Sequence, residues 1–171
     1  MKTLGTVPPA VRPAMTDHGI SRMIIVPFEV WEDSTSLDDI PENALTALNT
    51  HDMPPFAGVC QQWFDDERQS TLVTLLKEEG RISDGDEDDL GAVVAATLEH
   101  LGASNARTVL VNIEDLWPET ESQNIPGTTD DEHMNWRRKA SQSLEQFSDS
   151  TSVIDTLARL NAARSHASDE D

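Results

Sequence analysis

The 171-residue chain holds one cysteine, three lysines and no long apolar run. With Cys60 alone no internal disulfide can form, and no zinc-type Cys/His spacing surrounds it, so a reducing compartment is the expected setting. Basic residues are scarce, 12 Lys and Arg against 32 Asp and Glu, and the formal charge is -20. A surface this acidic repels the phosphate backbone, which excludes nucleic acid as a partner. Anionic membranes are disfavoured for the same reason. No stretch approaches the roughly 20 apolar residues of a membrane span. The first residues lack a signal-peptide core, so a cytoplasmic location is expected. Hydrophobic residues make up 37%, below the usual globular share but above what leaves a chain disordered throughout. Length by itself permits one self-sufficient domain.

No internal repeat organises the chain. Thr6-Val7-Pro8-Pro9 suits a helix start, with Thr6 as cap and the prolines in a first turn, and Gly19 suits its end. Arg22 to Phe28 is a continuous apolar run of strand length, as in a strand buried on both faces, although Pro27 argues against a central position. Glu29 to Asn43 reads as a loop. Ala44 to Asn49 reads as a second strand, running into a Pro-stiffened loop from His51 to Phe56. From Ser70 to Glu79, the apolar residues Leu72, Val73, Leu75 and Leu76 make a helical stripe ended by Gly80. Leu90, Val93, Val94, Leu98 and Leu101 make another, with Gly102 as its stop. Thr108 to Ile113 is the best strand, followed by a polar segment over Glu114 to Asn135. Helices over Trp136 to Phe147 and Thr151 to Arg164 follow, with a frayed tail from Ser165. Strands separated by helices indicate an α/β architecture with parallel strands.

The acidic run Asp84 to Asp89 resembles the opening of a calcium loop. That template requires Gly where Asp89 stands and Glu where Ala95 stands, so a solvated turn capping the next helix is the better reading. No metal or cofactor is expected. Cys60 and His51 form no recognisable nucleophile pair, and Cys60 reads as a buried structural cysteine. Arg137-Arg138-Lys139 is too short for a nucleic-acid patch and suits a helix face or intramolecular carboxylate partners. Asn49-Thr50-His51-Asp52-Met53-Pro54-Pro55 places a His-Asp pair directly after a buried strand. In a parallel α/β barrel that is where polar groups face substrate. A capping Asp and a satisfied core His would explain the dipeptide equally well.

The decisive context is several motifs in order: Leu4-Gly5-Thr6-Val7-Pro8-Pro9, Asn49 to Pro55, Asn112-Ile113-Glu114-Asp115-Leu116-Trp117, Gln123-Asn124-Ile125-Pro126-Gly127-Thr128-Thr129, and Asn135-Trp136-Arg137-Arg138-Lys139. Together they resemble the C-terminal part of the 4-alpha-glucanotransferases (amylomaltases), glycoside hydrolase family 77, over residues 2 to 164. The resemblance implies transfer of an alpha-1,4-glucan segment to the 4-hydroxyl of an acceptor sugar by a retaining mechanism, with one carboxylate as nucleophile and one as acid/base. It implies that Asp52 is a third carboxylate, holding hydroxyls of the sugar as it distorts, with His51 on the same sugar and Asn124 lining the substrate path. Maltooligosaccharides are then the expected ligands.

The family's nucleophile aspartate has no counterpart here, and Lys2 stands where its acid/base glutamate is expected. A lysine cannot replace a carboxylic acid there, because its pKa lies some six units higher in water. The fold implied is an incomplete TIM (β/α)8 barrel, about strands six to eight with flanking helices. A whole barrel takes about 250 residues. Residues 1–164 would form this portion and 165–171 an acidic tail. The isolated chain is expected to be inactive and to need the missing N-terminal part of the barrel as partner. A non-catalytic glucan-binding remnant and an unstable truncated product are the alternatives.

Overall fold

Three short parallel strands form the centre of the computed structural model, which describes residues 8–32 and 37–169. They are β1 (Arg22–Ile25), β2 (Ala44–Ala47) and β3 (Thr108–Leu110), in the order β1-β2-β3. The expectations for Lys2 and Thr6 fall outside the described residues. Met23 pairs with Leu45 and Ile25 with Ala47; on the other side Leu45 pairs with Thr108 and Ala47 with Leu110. Because side chains alternate along a strand, Met23, Ile25, Leu45, Ala47 and Leu110 share one face and Ile24, Thr46 and Val109 the other. Ile24 and Thr46 are buried, whereas Met23 and Leu110 stand exposed on the first face.

The strands are shorter than their apolar runs. After Ile25 the chain turns at once into α2 (Val26–Glu32), so Pro27 lies in a helical first turn, where its missing N–H costs nothing. This corrects the expected strand to Phe28 and the expected loop from Glu29. The first helix, α1 (Val11–Asp17), ends as expected before Gly19, whose φ of +64° suits a residue without Cβ. A helix unforeseen in the sequence, α3 (Phe56–Gln62), begins directly after Pro54-Pro55 and buries Phe56, Ala57, Val59 and Cys60. Trp31 stacks on Trp63 with ring centroids 5.8 Å apart, tying α2 to the end of α3.

The helix α4 (Asp66–Glu78) starts four residues earlier than the stripe suggested. Asp65 caps it by accepting from the Arg68 N–H at 3.0 Å, and Leu72 and Leu76 face inward. The helix α5 (Leu90–Ala103) is capped by Asp89, which accepts from the N–H groups of Gly91 and Ala92. The acidic run is thus a helix cap, and within it Glu87 pairs with Lys77. Gly102 does not stop α5, which continues to Ala103. It is buried where Leu160 crosses, only 2.8 Å from the place a Cβ would occupy.

The expected helix over Trp136 to Phe147 is largely absent. Residues 136–142 are irregular, and α6 (Leu144–Asp149) begins only where Ser143 and Gln146 form a capping box. Last comes α7 (Thr151–Asp169), carrying the helix past Arg164. The core joins Ile24 to Phe56 and Val59 of α3, Leu72 and Leu76 of α4, and Val93, Leu98 and Leu101 of α5. Among the described residues no helix is long and apolar enough to cross a membrane.

Candidate functional site at the strand ends

The first polar residue beyond each of β2 and β3 is an asparagine. Asn49 is buried, and its side-chain amide donates to both oxygens of Asp115, at 2.9 and 2.8 Å. Asn112 donates in turn to Asn49 Oδ1 at 3.4 Å, and its own Oδ1 caps the 3-10 turn Ile113–Leu116 that carries Asp115. Asp115 also accepts from the Phe56 backbone N–H at 2.6 Å, at the start of α3. One carboxylate therefore grips both ends of the Asn49 to Phe56 loop. Burial pushes its pKa up to about 7, against the lowering effect of the Phe56 and Asn49 hydrogen bonds.

That loop carries His51 and Asp52. Thr50 organises it: its carbonyl accepts from the Met53 N–H at 3.0 Å and its hydroxyl from the Asp52 N–H at 3.4 Å. Asp52 is half exposed. Its Oδ1 accepts from the Asn124 amide at 2.7 Å, and its Oδ2 lies 3.4 Å from His51 Nε2. The three residues singled out in the sequence thus sit together, although Asn124 is 72 positions from Asp52.

A second loop, from Gln123 to Arg138, closes over the same region. Gln123 donates to Glu114 at 2.7 Å, and the Trp136 N–H donates to the Gln123 carbonyl at 2.8 Å. Asn135 accepts from the Ile125 N–H at 2.8 Å and donates to the Thr128 hydroxyl at 3.0 Å. Arg137 pairs with Asp130, and Arg138 with Glu114 and Glu119, so the basic cluster has intramolecular carboxylate partners. Burial raises the Glu119 pKa, but the Glu121 N–H and Arg138 more than offset this and leave it below the usual range.

Between the two loops opens a cavity of about 460 Å³, floored by the strand residues Ile25, Leu45 and Ala47 and walled by Asn49, His51, Glu114, Gln123 and Trp136. Parallel sheets present their ligand sites at this carboxyl end of the strands. Of the three expected residues His51 lines the cavity; Asp52 and Asn124 adjoin it through their neighbours His51 and Gln123. Cys60 lies apart from this wall, buried, with its thiol pushed up to about 12 by burial and then by the Asp115 charge, so it stays protonated. Among the described residues no cluster of His, Cys, Asp or Glu could hold a metal ion.

Asp115 and Trp136 escaped the sequence reading as site residues. Both lie in motifs that carry the family resemblance, Asn112 to Trp117 and Asn135 to Lys139, but those motifs assign neither a role, and Trp136 reads there as the first residue of a helix. The family model of glycoside hydrolase family 77, 4-alpha-glucanotransferase, matches residues 2–145. The chain belongs to this family. A 4-alpha-glucanotransferase of Mycobacterium tuberculosis (strain ATCC 25618 / H37Rv) is 29% identical over 160 residues, covering 78% of this chain and 22% of its own length. That of Haemophilus influenzae is 24% identical over 189 residues, covering 94% of this chain and 27% of its own length. The chain therefore spans about a quarter of the length of these 4-alpha-glucanotransferases. Two solved amylomaltases share its fold. The enzyme from Corynebacterium glutamicum matches at a TM-score of 0.69 and 21% identity, over 94% of this chain and 28% of its own. The enzyme from Streptococcus agalactiae, in complex with acarbose, matches at 0.72 and 16% identity, over 95% of this chain and 31% of its own.

Proposed function

We propose that this chain supplies the glucan-holding end of a 4-alpha-glucanotransferase active site, with Asp52 as its one catalytic carboxylate and His51 and Asn124 as substrate-binding residues. The observation that carries this reading is the Asn124–Asp52 hydrogen bond of 2.7 Å beside a cavity at the carboxyl ends of parallel strands. A carboxylate in that position accepts two hydroxyl hydrogen bonds from one sugar. Such bonds are charge-assisted and strengthen as positive charge develops on the ring. His51 and Asn124 fix the carboxylate plane, so little reorganisation is needed when the sugar distorts.

The nucleophile and the acid/base carboxylate of a retaining mechanism come, in this reading, from outside the chain, in the remainder of a TIM barrel of which residues 1–164 form about strands six to eight. Alpha-1,4-glucans are its substrates and that remainder its partner. The setting is cytoplasmic, and residues 165–171 stand outside the barrel. That the Streptococcus agalactiae amylomaltase was solved in complex with acarbose supports a carbohydrate as the ligand.

Titration of the full chain with maltoheptaose tests the proposal. Saturable binding, weakened at least about tenfold by Asp52→Ala, is expected, since removing one charged acceptor costs about 1.5–3 kcal/mol. No saturable binding by the unchanged chain would overturn it. In the companion assay, maltotriose disproportionation, the chain without its complement should show no turnover.

A further inference from the structure

Trp136 is the one residue other than glycine with a positive φ among the described residues, at 60°. For a bulky side chain the left-handed region is strained and persists only where surrounding contacts over-determine it. Those contacts are present. The Trp136 N–H donates to the Gln123 carbonyl at 2.8 Å, Asn135 is bonded on the preceding side, and Arg137 is tied to Asp130 on the following side. This strain does not bury the ring: Trp136 is 59% exposed. What it achieves is to hold a large apolar plane at the wall of the cavity, beside His51.

The neighbourhood defines what such a plane receives. The His51 and Trp136 ring centroids are 6.2 Å apart and tilted by 35°. A saturated ring sandwiched between them would need about 7–8 Å, two carbon–carbon contact distances. The ligand therefore lies on a single face of the indole. The cavity that Trp136 lines also carries polar groups, the Gln123 amide and the Glu114 carboxylate joined at 2.7 Å, and the buried Asn49. An apolar face in a cavity that also holds hydrogen-bonding groups complements a pyranose, whose C–H groups form a flat face and whose hydroxyls project from its rim.

Resting on the glucan reading above, we infer that Trp136 is a stacking platform for a sugar unit of the glucan, held open by its left-handed backbone. The test is maltoheptaose titration of the full chain carrying Trp136→Gly, Trp136→Phe or Trp136→Ala. Glycine keeps the left-handed turn and deletes the plane, so it separates loss of the platform from loss of the loop. Trp136→Gly and Trp136→Ala are expected to weaken binding about tenfold, the scale of one lost aromatic contact, with Trp136→Phe restoring most of it. A role confined to shaping the loop would leave Trp136→Gly as tight as the unchanged chain, and that result overturns the inference. Where Asp52→Ala still weakens binding in the same series, the glucan reading survives that failure. Absence of binding by the unchanged chain overturns both.

Discussion

Asp115 shows how a single residue can govern a site it does not line. Its carboxylate holds Asn49 and the Phe56 N–H, and so both ends of the loop that presents His51 and Asp52. Burial and the neighbouring Glu114 charge raise its pKa from 3.8 to about 7, the Phe56 and Asn49 bonds opposing them. A carboxyl whose folded pKa is raised binds its proton more tightly in the native state. Its favourable contribution is complete below the unfolded pKa and is lost as pH climbs through the folded one. Asp115 should therefore lower stability progressively from about pH 4 to about pH 7, by at most about 1.4 kcal/mol per pH unit. Asp115→Asn removes the titration and keeps the shape, so the stability difference between variant and parent should shift towards the variant over that window. Denaturation at fixed ionic strength across pH 4 to 8 reads it, and a difference independent of pH would refute the assignment. This residue was not legible in the sequence for a physical reason: its importance arises from an amide 66 positions away and a backbone N–H 59 positions away. Neither leaves a local pattern. The pair His51-Asp52, by contrast, stood out because it follows an apolar strand directly.

At the scale of elements, the sequence told most where one residue did the organising. Asp65 and Asp89 cap α4 and α5, and the stripes Leu72/Leu76 and Val93/Leu98/Leu101 face the core. It told least where tertiary partners outweighed local propensity. Arg137 and Arg138 suit a helix, but their guanidinium groups are drawn to Asp130, Glu114 and Glu119, and the chain there gives up helical geometry to reach them. Gly102 illustrates a different confusion. A glycine near a helix end usually terminates it, yet this one serves close packing, with the Leu160 carbonyl 3.0 Å and Ala163 Cβ 3.3 Å from where a Cβ would stand. Alanine would improve helix propensity by about 0.8–1 kcal/mol. The Leu160 backbone cannot yield as a side-chain tip does, so α7 must move off α5, and overpacking of this kind costs about 1–3 kcal/mol. We therefore expect Gly102→Ala to lower unfolding stability and to speed amide exchange in α7 more than in β2. Equal or greater stability would show that the α5–α7 contact gives way freely.

For the whole molecule, the decisive feature is a sheet whose cavity side is only partly covered: Ile25 and Ala47 are buried there, but apolar residues around them are not. Ile24 and Thr46 are buried against the helical side, while Met23, Leu110 and the following Ile113 are more than half exposed on the cavity side. β1 and β3 pair with no further strand among the described residues. Exposed apolar strands with open edges are templates for association with other chains. In a closed barrel the same positions would be interior layers and both edges would be paired. The chain spans about a quarter of the length of its 4-alpha-glucanotransferase relatives, so the material for such closure exists within the family. If the open face is the seam of a larger barrel, the isolated chain should bind a hydrophobic dye and scatter light as concentration rises. Co-expression with a family polypeptide spanning the first strands should suppress both and yield a complex that purifies together. Leu110→Asp separates a seam from a merely sticky surface. It should reduce self-association of the isolated chain and also abolish the complex, because a carboxylate cannot enter an apolar barrel interior without a partner. A complex that forms undiminished with Leu110→Asp would place the seam elsewhere.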